Sequence, residues 1–457
     1  MKKFISLTLL LILTINLSAC KKKQVIIEQK APITLTYYKL YDNKEIYNQS
    51  IQDFREKFPY VSVNIKTFQD KESYLNTVVR EIAEGRGPDL FSVPNTWVKS
   101  NYKLLQEAPK EITPEIYQNT YINTAFEDNT IPKTDGSVGI FGIPLTVDTL
   151  ALYYNSQLFE NTIPERGKPQ STWGGIAQDA RLLTSKNENN IKRGGLAIGS
   201  LETNRNSDAY LLRLLQNNIN FYDKTANQVS FAKNNKSVEI FKELQSYANP
   251  KNTNYNYDKS LNLPNSDDNE LSAFAQGKVA MIFGYSHLYK DILNKIDLYK
   301  SSGIETISKS SVKITEAPQE VISDNKVAYA NYLTEVVNRN SNHGFEAFAL
   351  LGELSSQKSL SKIYSKDFKP TSRRDMIPSQ RQNRIYRAFA NQLGYSKSIA
   401  LPSTKVNKII NNMFDQETLN KLDEVQYSKV LNQASSKINK EIQNNNKVNP
   451  IITVETK

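Results

Sequence analysis

The chain has very little cysteine and histidine. Its 457 residues include one cysteine, Cys20, and two histidines, His287 and His343. A single cysteine excludes an internal disulfide. The sequence contains no cysteine pair and no His-Glu-x-x-His pattern, which argues against a conventional zinc site. We therefore expect no metal ion and no cofactor.

Long apolar runs are also missing, except at the start of the chain. Behind Lys2 and Lys3, an apolar run covers 4–15, which is shorter than the roughly 20 residues that cross a bilayer and is typical of an export signal. Leu-Ser-Ala-Cys follows and resembles the lipobox of bacterial lipoproteins, which implies cleavage before an acylated Cys20. The alternative is an uncleaved anchor with a chance cysteine. We expect a signal peptide at 1–19 and a lipidated basic linker at 20–31.

The net charge of +11 does not come from one basic block. Lysines are scattered among asparagines and serines, and no nucleic-acid-binding motif is present. The excess of positive charge therefore indicates a solvated basic surface, and we expect no nucleic-acid partner. More than 400 residues follow the linker, which exceeds what one hydrophobic core usually supports and predicts at least two lobes.

The first part of the body alternates strands and helices. Apolar residues alternate along 33–37 and 61–65, recur at helical spacing along 47–58 and 74–82, and form a short run at 90–93. Short connections between such elements are typical of a doubly wound α/β lobe with a largely parallel sheet. In these sheets ligands bind beyond the carboxyl ends of the strands. The loops at these ends are 38–43, 68–70 and 94–97.

A second lobe is predicted downstream of a glycine-containing break. An apolar strand is predicted over 143–154, and Thr172 is suited to cap the helix that follows. A buried strand over 194–199 leads into the polar loop 202–206. The segment 250–269 is rich in Asn, Asp, Lys and Tyr and is predicted to be a surface loop. Whether that loop covers a cleft stays open.

Five short sequence blocks add a more specific signal and extend over nearly the whole mature chain. They are 88–91, 142–155, 169–173, 274–281 and 370–373. In this order and spacing they resemble family 1 extracellular solute-binding proteins, the group that contains maltodextrin-binding proteins. The resemblance implies two doubly wound α/β lobes joined by a multi-crossing hinge, as in type II periplasmic binding proteins, with the ligand enclosed between the lobes.

The resemblance also divides the chain into two discontinuous lobes. It places the hinge crossings near 145–149, 281–287 and 329–342. The expected N-terminal lobe is 32–145 plus 286–335, the expected C-terminal lobe is 146–285 plus 336–440, and a flexible tail is expected at 441–457.

Three candidate ligand-binding residues come from matched positions. Asp148 aligns with an acidic position that contacts sugar hydroxyls in maltodextrin binders, and a carboxylate accepts strong hydroxyl hydrogen bonds. The alternative is a hinge residue satisfied by backbone amides. Asn95 occupies a position that is often polar and ligand-facing in the family. The indole of Trp97 could stack on a sugar ring, or it could pack beneath the surface of the lobe.

Further candidates follow other matched blocks or predicted strands. Tyr285 and His287 follow the expected second crossing, and maltodextrin binders place an aromatic ring at the position of His287. A histidine weakens stacking and adds a donor, so we expect a ligand other than a long maltodextrin; the alternative is a structural or surface histidine. Arg373 lies in a family loop near the cleft base, with a scaffold salt bridge as the alternative. Six candidates qualify only by position after a strand: Tyr41, Asn43, Phe68, Asp70, Asn204 and Asn206.

The function implied by the resemblance is solute capture for an ABC importer, without catalysis. The expected partners are a small solute, with carbohydrate favoured, and the transmembrane permease subunits. We expect a monomer on the extracytoplasmic side that is held to the membrane by its lipid anchor. One alternative is a surface lipoprotein that uses the same fold for sensing or adhesion. The other is a glycoside hydrolase with two carboxylates, which a single sequence cannot locate among 47 acidic residues.

Overall fold

The computed structural model of the protein describes most of the chain after the predicted linker. The described residues are 30–188, 190–223, 226–262, 269–367, 369–401, 405–415, 419 and 424–448. Cys20, the signal peptide and nearly all of the linker lie outside them. Within the described ranges, no helix has the length and apolar character needed to span a bilayer.

The first lobe begins with alternating strands and helices, as the sequence pattern predicted. Leu35 and Tyr37 point into the core, whereas Thr34 is exposed, because successive side chains in a strand face opposite sides. Its elements are β1 (Ile33–Leu40), α1 (Asn48–Lys57), β2 (Val61–Phe68), α2 (Lys71–Ala83), β3 (Leu90–Pro94), α3 (Asn95–Asn101), α4 (Pro114–Thr120), α5 (Asn123–Asn129), β4 (Thr130–Pro132) and β5 (Val138–Ile140).

The second lobe contains the next part of the chain. Thr172 caps a helix as expected, because its side chain accepts a hydrogen bond from the Gly175 amide. The elements are β6 (Ala151–Asn155), α6 (Ser156–Thr162), α7 (Trp173–Leu183), β7 (Ser185–Asn187), β8 (Asn190–Ala197), α8 (Asn206–Gln216), β9 (Tyr222–Asp223), β10 (Gln228–Val229), α9 (Asn235–Ser246), α10 (Asn269–Ala275), β11 (Val279–Gly284), α11 (Leu288–Ser301) and β12 (Val312–Glu316).

The chain then returns to the first lobe and ends in the second. β13 (Ala328–Tyr329) lies at the crossing, and the returning elements are β14 (Leu333–Val337), α12 (Gly344–Leu354), α13 (Gln357–Asp367) and α14 (Ile377–Gln382). α15 (Arg387–Gln392) follows, with Phe389 packed in a core of the second lobe. The last elements are β15 (Ser396–Lys397), α16 (Val406–Asn411) and α17 (Glu424–Val448).

Each lobe is built on its own sheet. The first sheet has the order β14-β3-β1-β2, with β1 parallel to β2 and β3, and with β14 antiparallel to β3. The second has the order β12-β6-β11-β8-β7, in which β11 and β8 are parallel. In the first sheet β3 and β2 lie on opposite sides of β1, so the loops after β1, β2 and β3 meet where the strand order reverses.

Three chain crossings connect the lobes. The residues on the two sides of each crossing belong to different hydrophobic cores: Val147 and Leu150, Tyr329 and Ala330, and Leu393 and Ile399. The first crossing lies where the resemblance placed it. The residues 143–149 form isolated bridges rather than part of a long strand, and only β6 continues as one.

The three crossing segments hydrogen-bond to one another. The Leu150 amide donates to the Tyr329 carbonyl at 2.9 Å, and the Ala330 amide donates to the Lys397 carbonyl at 2.9 Å. The buried Gln392 side chain donates to the Thr149 hydroxyl and accepts from the Ala317 amide, both at 2.9 Å. The hinge is therefore a connected unit rather than three independent linkers.

The lobe boundaries expected from the resemblance are wrong for parts of two segments. The segment 286–335 was expected in the first lobe, but α11 and β12 pack on and pair with the second sheet. The segment 336–440 was expected in the second lobe, but α12, α13 and Leu393 pack in the first core. The expected crossing at 281–287 is absent, because β11 and the α11 that follows it both belong to the second lobe. The crossing between Leu393 and Ile399 was missed.

The prediction of a flexible tail is wrong for residues 441–448, which are helical. α17 continues to Val448, and Ile438 and Ile442 are buried in the second core at helical spacing. The abundance of Asn and Lys had suggested disorder, but the apolar residues on one face are enough to hold the helix. Residues 449–457 lie outside the described part of the chain.

A buried charge network lies at the carboxyl end of the first sheet. Lys39 of β1 and Glu335 of β14 are 1% and 2% exposed, and their side chains meet at 2.6 Å. Glu335 also accepts hydrogen bonds from the hydroxyls of Tyr37 at 2.6 Å and Ser92 at 2.8 Å, and Lys39 contacts Asp42 at 2.9 Å. Each charge is therefore paired and hydrogen-bonded, which is the condition under which buried charges are tolerated.

Replacing Lys39 with methionine should destabilise the protein strongly. The substitution keeps an apolar stem but leaves Glu335 and Asp42 buried next to one another with less positive charge. Removal of one partner from a buried ion pair typically costs about 3–5 kcal/mol. Chemical denaturation should show a loss of this size, whereas the exposed Lys44→Met in the next turn should change the unfolding free energy little. A loss below about 1 kcal/mol would contradict this account.

Candidate functional site: the interlobe cleft

A glycine turn shapes the second-lobe side of the cleft. Gly199, two residues after β8, has a φ of 87°, in the left-handed region that glycine adopts readily. A side chain there would collide with the carbonyl oxygen of Leu244. The turn carries the chain into 200–205 and the start of α8, so the first turn of that helix faces the other lobe. The amide of Asn206 holds this loop by accepting from the Gly199 amide at 2.7 Å.

Asp148 lies in the first crossing and is largely satisfied by the hinge itself. Its carboxylate accepts from the Ser286 amide at 2.9 Å, the Ser286 hydroxyl at 2.6 Å and the Thr149 amide at 2.9 Å. Burial raises its pKa to about 6, and these hydrogen bonds oppose the rise. The contacts match the alternative considered from sequence, a hinge residue satisfied by local donors. Asp148 also fixes the start of the segment that carries Tyr285 and His287.

The second-lobe side of the cleft centres on Tyr285. The guanidinium of Arg205 lies over its ring at 5.0 Å, and the ring of His287 lies 6.4 Å away at 18°. Arg205 also approaches a carboxylate oxygen of Asp208 at 3.3 Å. Desolvation, together with the nearby cations Arg205 and Lys369, lowers the pKa of His287 to about 4. His287 is therefore a neutral imidazole at pH 7.

Side chains of the first lobe face this group. Burial lowers the pKa of Lys71, and the carboxylate of Asp208 in the other lobe opposes that change. Lys369, which contributes to the shift of His287, forms an ion pair with Asp42. We call the residues that approach one another here the cleft group. Its members are Tyr41, Asp42, Lys71 and Lys369 of the first lobe, and Arg205, Asp208, Tyr285 and His287 of the second.

Several residues predicted from sequence lie in or beside the cleft group. Tyr41 is exposed after β1 with a φ of 62°, and burial followed by the charge of Asp70 raises its pKa. Asp70 itself caps α2 by accepting from the Ser73 amide. The backbone and side-chain amides of Asn204 donate to Glu270, and burial raises the pKa of that carboxyl to about 7. These residues are thus brought together, although some already hold structural partners.

Other predicted residues are committed to their lobe. Asn43 caps a short helix, and Phe68 packs between Tyr38 and Tyr74. Asn206 is fully buried in its own loop. Arg373 forms an ion pair with Asp375 at 2.7 Å, which matches its alternative reading as a scaffold salt bridge.

The two candidates after β3 lie apart from the cleft group. The Asn95 side chain is buried and donates to Asp128 at 2.8 Å, beside a separate cavity of about 240 Å³. Trp97 is half-buried and meets Phe91 edge-on with ring centroids 6.1 Å apart. Part of the indole therefore serves the lobe core, as its alternative reading held.

Five charged residues of the cleft group were missed by the sequence analysis: Asp42, Lys71, Arg205, Asp208 and Lys369. Their positions next to predicted loops are a signal that identifies some of them, since Lys71 follows Asp70 and Arg205 lies in the polar loop 202–206. Lys369 directly precedes the matched block 370–373. What the sequence did not show is that a residue in the first turn of α8 would approach Lys71 in the opposite lobe.

Comparison with protein families matches residues 49–380 to bacterial extracellular solute-binding proteins. The chain belongs to this family. Comparison with functionally curated proteins found no match. The predicted family and the two-lobed type II fold are confirmed, and the solved structures below share that fold.

Three solved structures illustrate the similarity of this solute-binding protein to known relatives. The sugar-binding protein MalE of Xanthomonas citri is 15% identical with a TM-score of 0.70, and the match covers 91% of this chain and 99% of that one. A Thermotoga lettingae solute-binding protein bound to α-D-tagatose is 18% identical, with a TM-score of 0.66 and coverages of 90% and 99%. A Listeria monocytogenes substrate-binding protein in complex with cycloalternan is 16% identical, with a TM-score of 0.65 and coverages of 90% and 99%.

The raised pKa of Asp148 predicts a pH dependence of stability. The folded-state pKa of about 6 exceeds the ordinary value of 3.8, so the native state retains a proton that the unfolded chain has released. The contribution of this group to stability should therefore fall as pH rises from about 4 to about 6. Asp148→Asn should remove this loss, so its unfolding free energy should gain on the wild type across that window.

The control for this experiment is the exposed Asp135→Asn. Hydrogen bonds from Ser137 lower the pKa of Asp135, so its effect has the opposite sign. Urea denaturation of the three proteins at several pH values measures both slopes. Parallel curves for Asp148→Asn and the wild type would show that Asp148 does not titrate in this range.

Proposed function

We propose that this protein is the substrate-binding lipoprotein of an ABC importer and that it captures a small carbohydrate in the interlobe cleft. The observation that carries the proposal is the cleft group, in which polar and charged side chains of both lobes face one another above a three-segment hinge. Family membership supports capture of a solute. The ligands bound in the solved neighbours, tagatose and cycloalternan among them, favour carbohydrate.

The mechanism we propose is closure of the lobes around the solute. In the open state each lobe presents half of the site, and a ligand that contacts both halves favours the closed state by its differential contacts. Closure then forms the surface that the permease recognises. Micromolar binding requires about 8 kcal/mol, which a few hydrogen bonds to charged groups and some ring contact supply.

The cleft group favours small solutes over long maltodextrins. Tyr285 is buried beneath Arg205 and His287, and Trp97 shares its ring with the lobe core. Among the aromatic candidates Tyr41, Trp97 and Tyr285, Tyr41 is therefore the one whose ring is exposed enough to stack on a sugar. Tyr41, Asn204, Tyr285 and His287 remain our proposed contacts among the residues singled out from sequence, and Asp148 is proposed to act through the hinge.

Thermal unfolding against a panel of solutes tests the proposed function. Monosaccharides, oligosaccharides, amino acids and polyol phosphates should be compared, and one sugar class should raise the melting temperature in a saturable way. At a hundredfold excess over Kd the native state gains about 2.7 kcal/mol, which corresponds to several degrees. If no solute shifts the transition, the importer role fails and a sensing or adhesion lipoprotein becomes the better account.

The two histidines provide a matched pair of variants for this panel. His287→Ala removes a ring of the cleft group and should reduce the ligand-induced shift. His343→Ala changes a residue at the start of α12 and should leave the shift unchanged. Product analysis of the same mixtures distinguishes binding from hydrolysis, because a glycoside hydrolase would release new reducing ends.

The lipid anchor is proposed from the sequence around Cys20, which lies outside the described residues. One acyl chain gives only marginal membrane binding, whereas two chains retain a protein stably. Expressed with its signal, the wild type should partition into detergent and incorporate labelled palmitate. Cys20→Ser should be released in soluble form without label, and a Ser18→Ala control should remain anchored. Equal partitioning of Cys20→Ser and wild type would indicate an uncleaved anchor.

A further inference from the structure

Two polar atoms in the second-lobe wall are buried without a hydrogen-bond partner. They are one carboxylate oxygen of Asp208, a residue that is 2% exposed, and the hydroxyl of Tyr285, which is 4% exposed. Buried polar atoms nearly always have partners, and leaving one unsatisfied is costly. Two such atoms beside one another in a cleft indicate a place where a bound molecule supplies the missing contacts.

The neighbours of these atoms hold them in place without satisfying them. Arg205 contacts the other carboxylate oxygen of Asp208 and covers the ring of Tyr285. The Tyr285 hydroxyl lies near enough to Asp208 to lower the pKa of that carboxyl, although burial raises it more. The Asn331 side chain also lies near the Tyr285 hydroxyl. Among the described residues, neither unsatisfied atom completes a hydrogen bond of good geometry. The pair is therefore fixed in position with one acceptor and one hydroxyl left open.

The opposite lobe supplies a donor. Within the described part of the chain, the ammonium of Lys71 makes no ion pair and no side-chain hydrogen bond. Asp208 is the first of the charges that oppose the burial-induced lowering of the Lys71 pKa, ahead of Asp70 and Glu72. Lys71 in the first turn of α2 and Asp208 in the first turn of α8 therefore face one another across the cleft.

We propose that Asp208, Tyr285 and Lys71 form a subsite that spans the cleft and binds adjacent hydroxyl groups of a compact polyhydroxylated solute. A solute hydroxyl donates to the open oxygen of Asp208 and accepts from the Lys71 ammonium, and the Tyr285 hydroxyl binds the neighbouring oxygen. This inference rests on the proposed function and specifies which residues perform it.

A neutral polyol fits this set better than an ion. The open oxygen of Asp208 would repel an anionic group, and the cations Lys71 and Arg205 would repel a cationic group. A hydroxyl both donates and accepts, so it satisfies the open acceptor and the open donor together. Because the two charged residues belong to different lobes, one hydroxyl can contact both only when the lobes are close. The subsite thus couples recognition of the solute to closure.

Calorimetric titration of the wild type and five variants tests this subsite. D-tagatose, maltose and methyl α-D-glucoside serve as probes, each with its deoxy analogue at one hydroxyl. Lys71→Gln and Asp208→Asn should each raise Kd at least about tenfold for the sugar that binds, as expected for hydrogen bonds to charged groups. Removal of the contacted hydroxyl should weaken the wild type similarly and the variants much less.

Matched controls separate binding from folding. Lys66→Gln alters an exposed lysine of the same lobe, and Asp179→Asn alters a buried carboxylate of the second lobe that is paired with Arg166. Asp179→Asn should lower the melting temperature without changing Kd. Wild-type binding that persists unchanged in Lys71→Gln and Asp208→Asn would overturn the subsite while leaving the solute-binding role intact.

A ligand-free measurement completes the test. Tyr285→Phe removes a hydroxyl that completes no hydrogen bond of good geometry with the described residues. The variant should therefore keep or raise the melting temperature without solute and still weaken binding. A clear loss of stability in the ligand-free variant would show that the hydroxyl is bonded within the fold, and would overturn the proposal. If none of the probes or the wider solute panel binds the wild type, the proposed function and this subsite both fail.

Discussion

The hydrogen bonds among the three crossing segments are the constraint on which the rest of the structure depends. Leu150, Tyr329, Ala330 and Lys397 are joined by backbone bonds, and Gln392 adds side-chain bonds to the first crossing and to Ala317. Three connected strands resist twisting and sliding more than a single linker does. The motion that remains easiest is opening and closing of the two lobes about this unit. The opposing halves of the cleft can therefore meet in the same register each time the lobes close.

The buried charges act on the alignment of the two cleft halves as well as on stability. The network of Lys39, Glu335 and Asp42 fixes the carboxyl end of the first sheet, and its last member reaches Lys369 at the cleft. In the second lobe, Asp148 holds Ser286 beside the hinge and so fixes Tyr285. Replacing such groups with apolar residues could give an equally stable lobe. We propose that the charged arrangement instead transmits the position of the hinge to the side chains of the cleft group.

The sequence predicted the elements well and the lobe assignment in part. Alternation along β1 and β2, and the Thr172 cap, identified local structure because those signals depend on neighbouring residues only. Parts of the segments 286–335 and 336–440 were assigned to the wrong lobes. Both α11 and α12 are amphipathic, and nothing local shows which sheet covers their apolar faces. Asp148, Tyr285 and His287 were found by matched position. Lys71 and Asp208 were missed because their relation depends on how two distant helices face one another.

The unsatisfied hydrogen-bonding atoms of Asp208 and Tyr285 explain why the site should discriminate among sugars by hydroxyl pattern rather than by ring stacking. A stacked ring gains affinity from area and tolerates many orientations of its hydroxyl groups. A buried oxygen that lacks a partner accepts a hydrogen bond from a correctly placed donor. A ligand without that donor binds more weakly, because no contact offsets the desolvation free energy of the buried oxygen. Since the cost is present before the solute arrives, the unliganded protein carries a local instability that binding removes. Specificity and closure then have the same origin: the solute that completes these contacts is the one that holds the two lobes together.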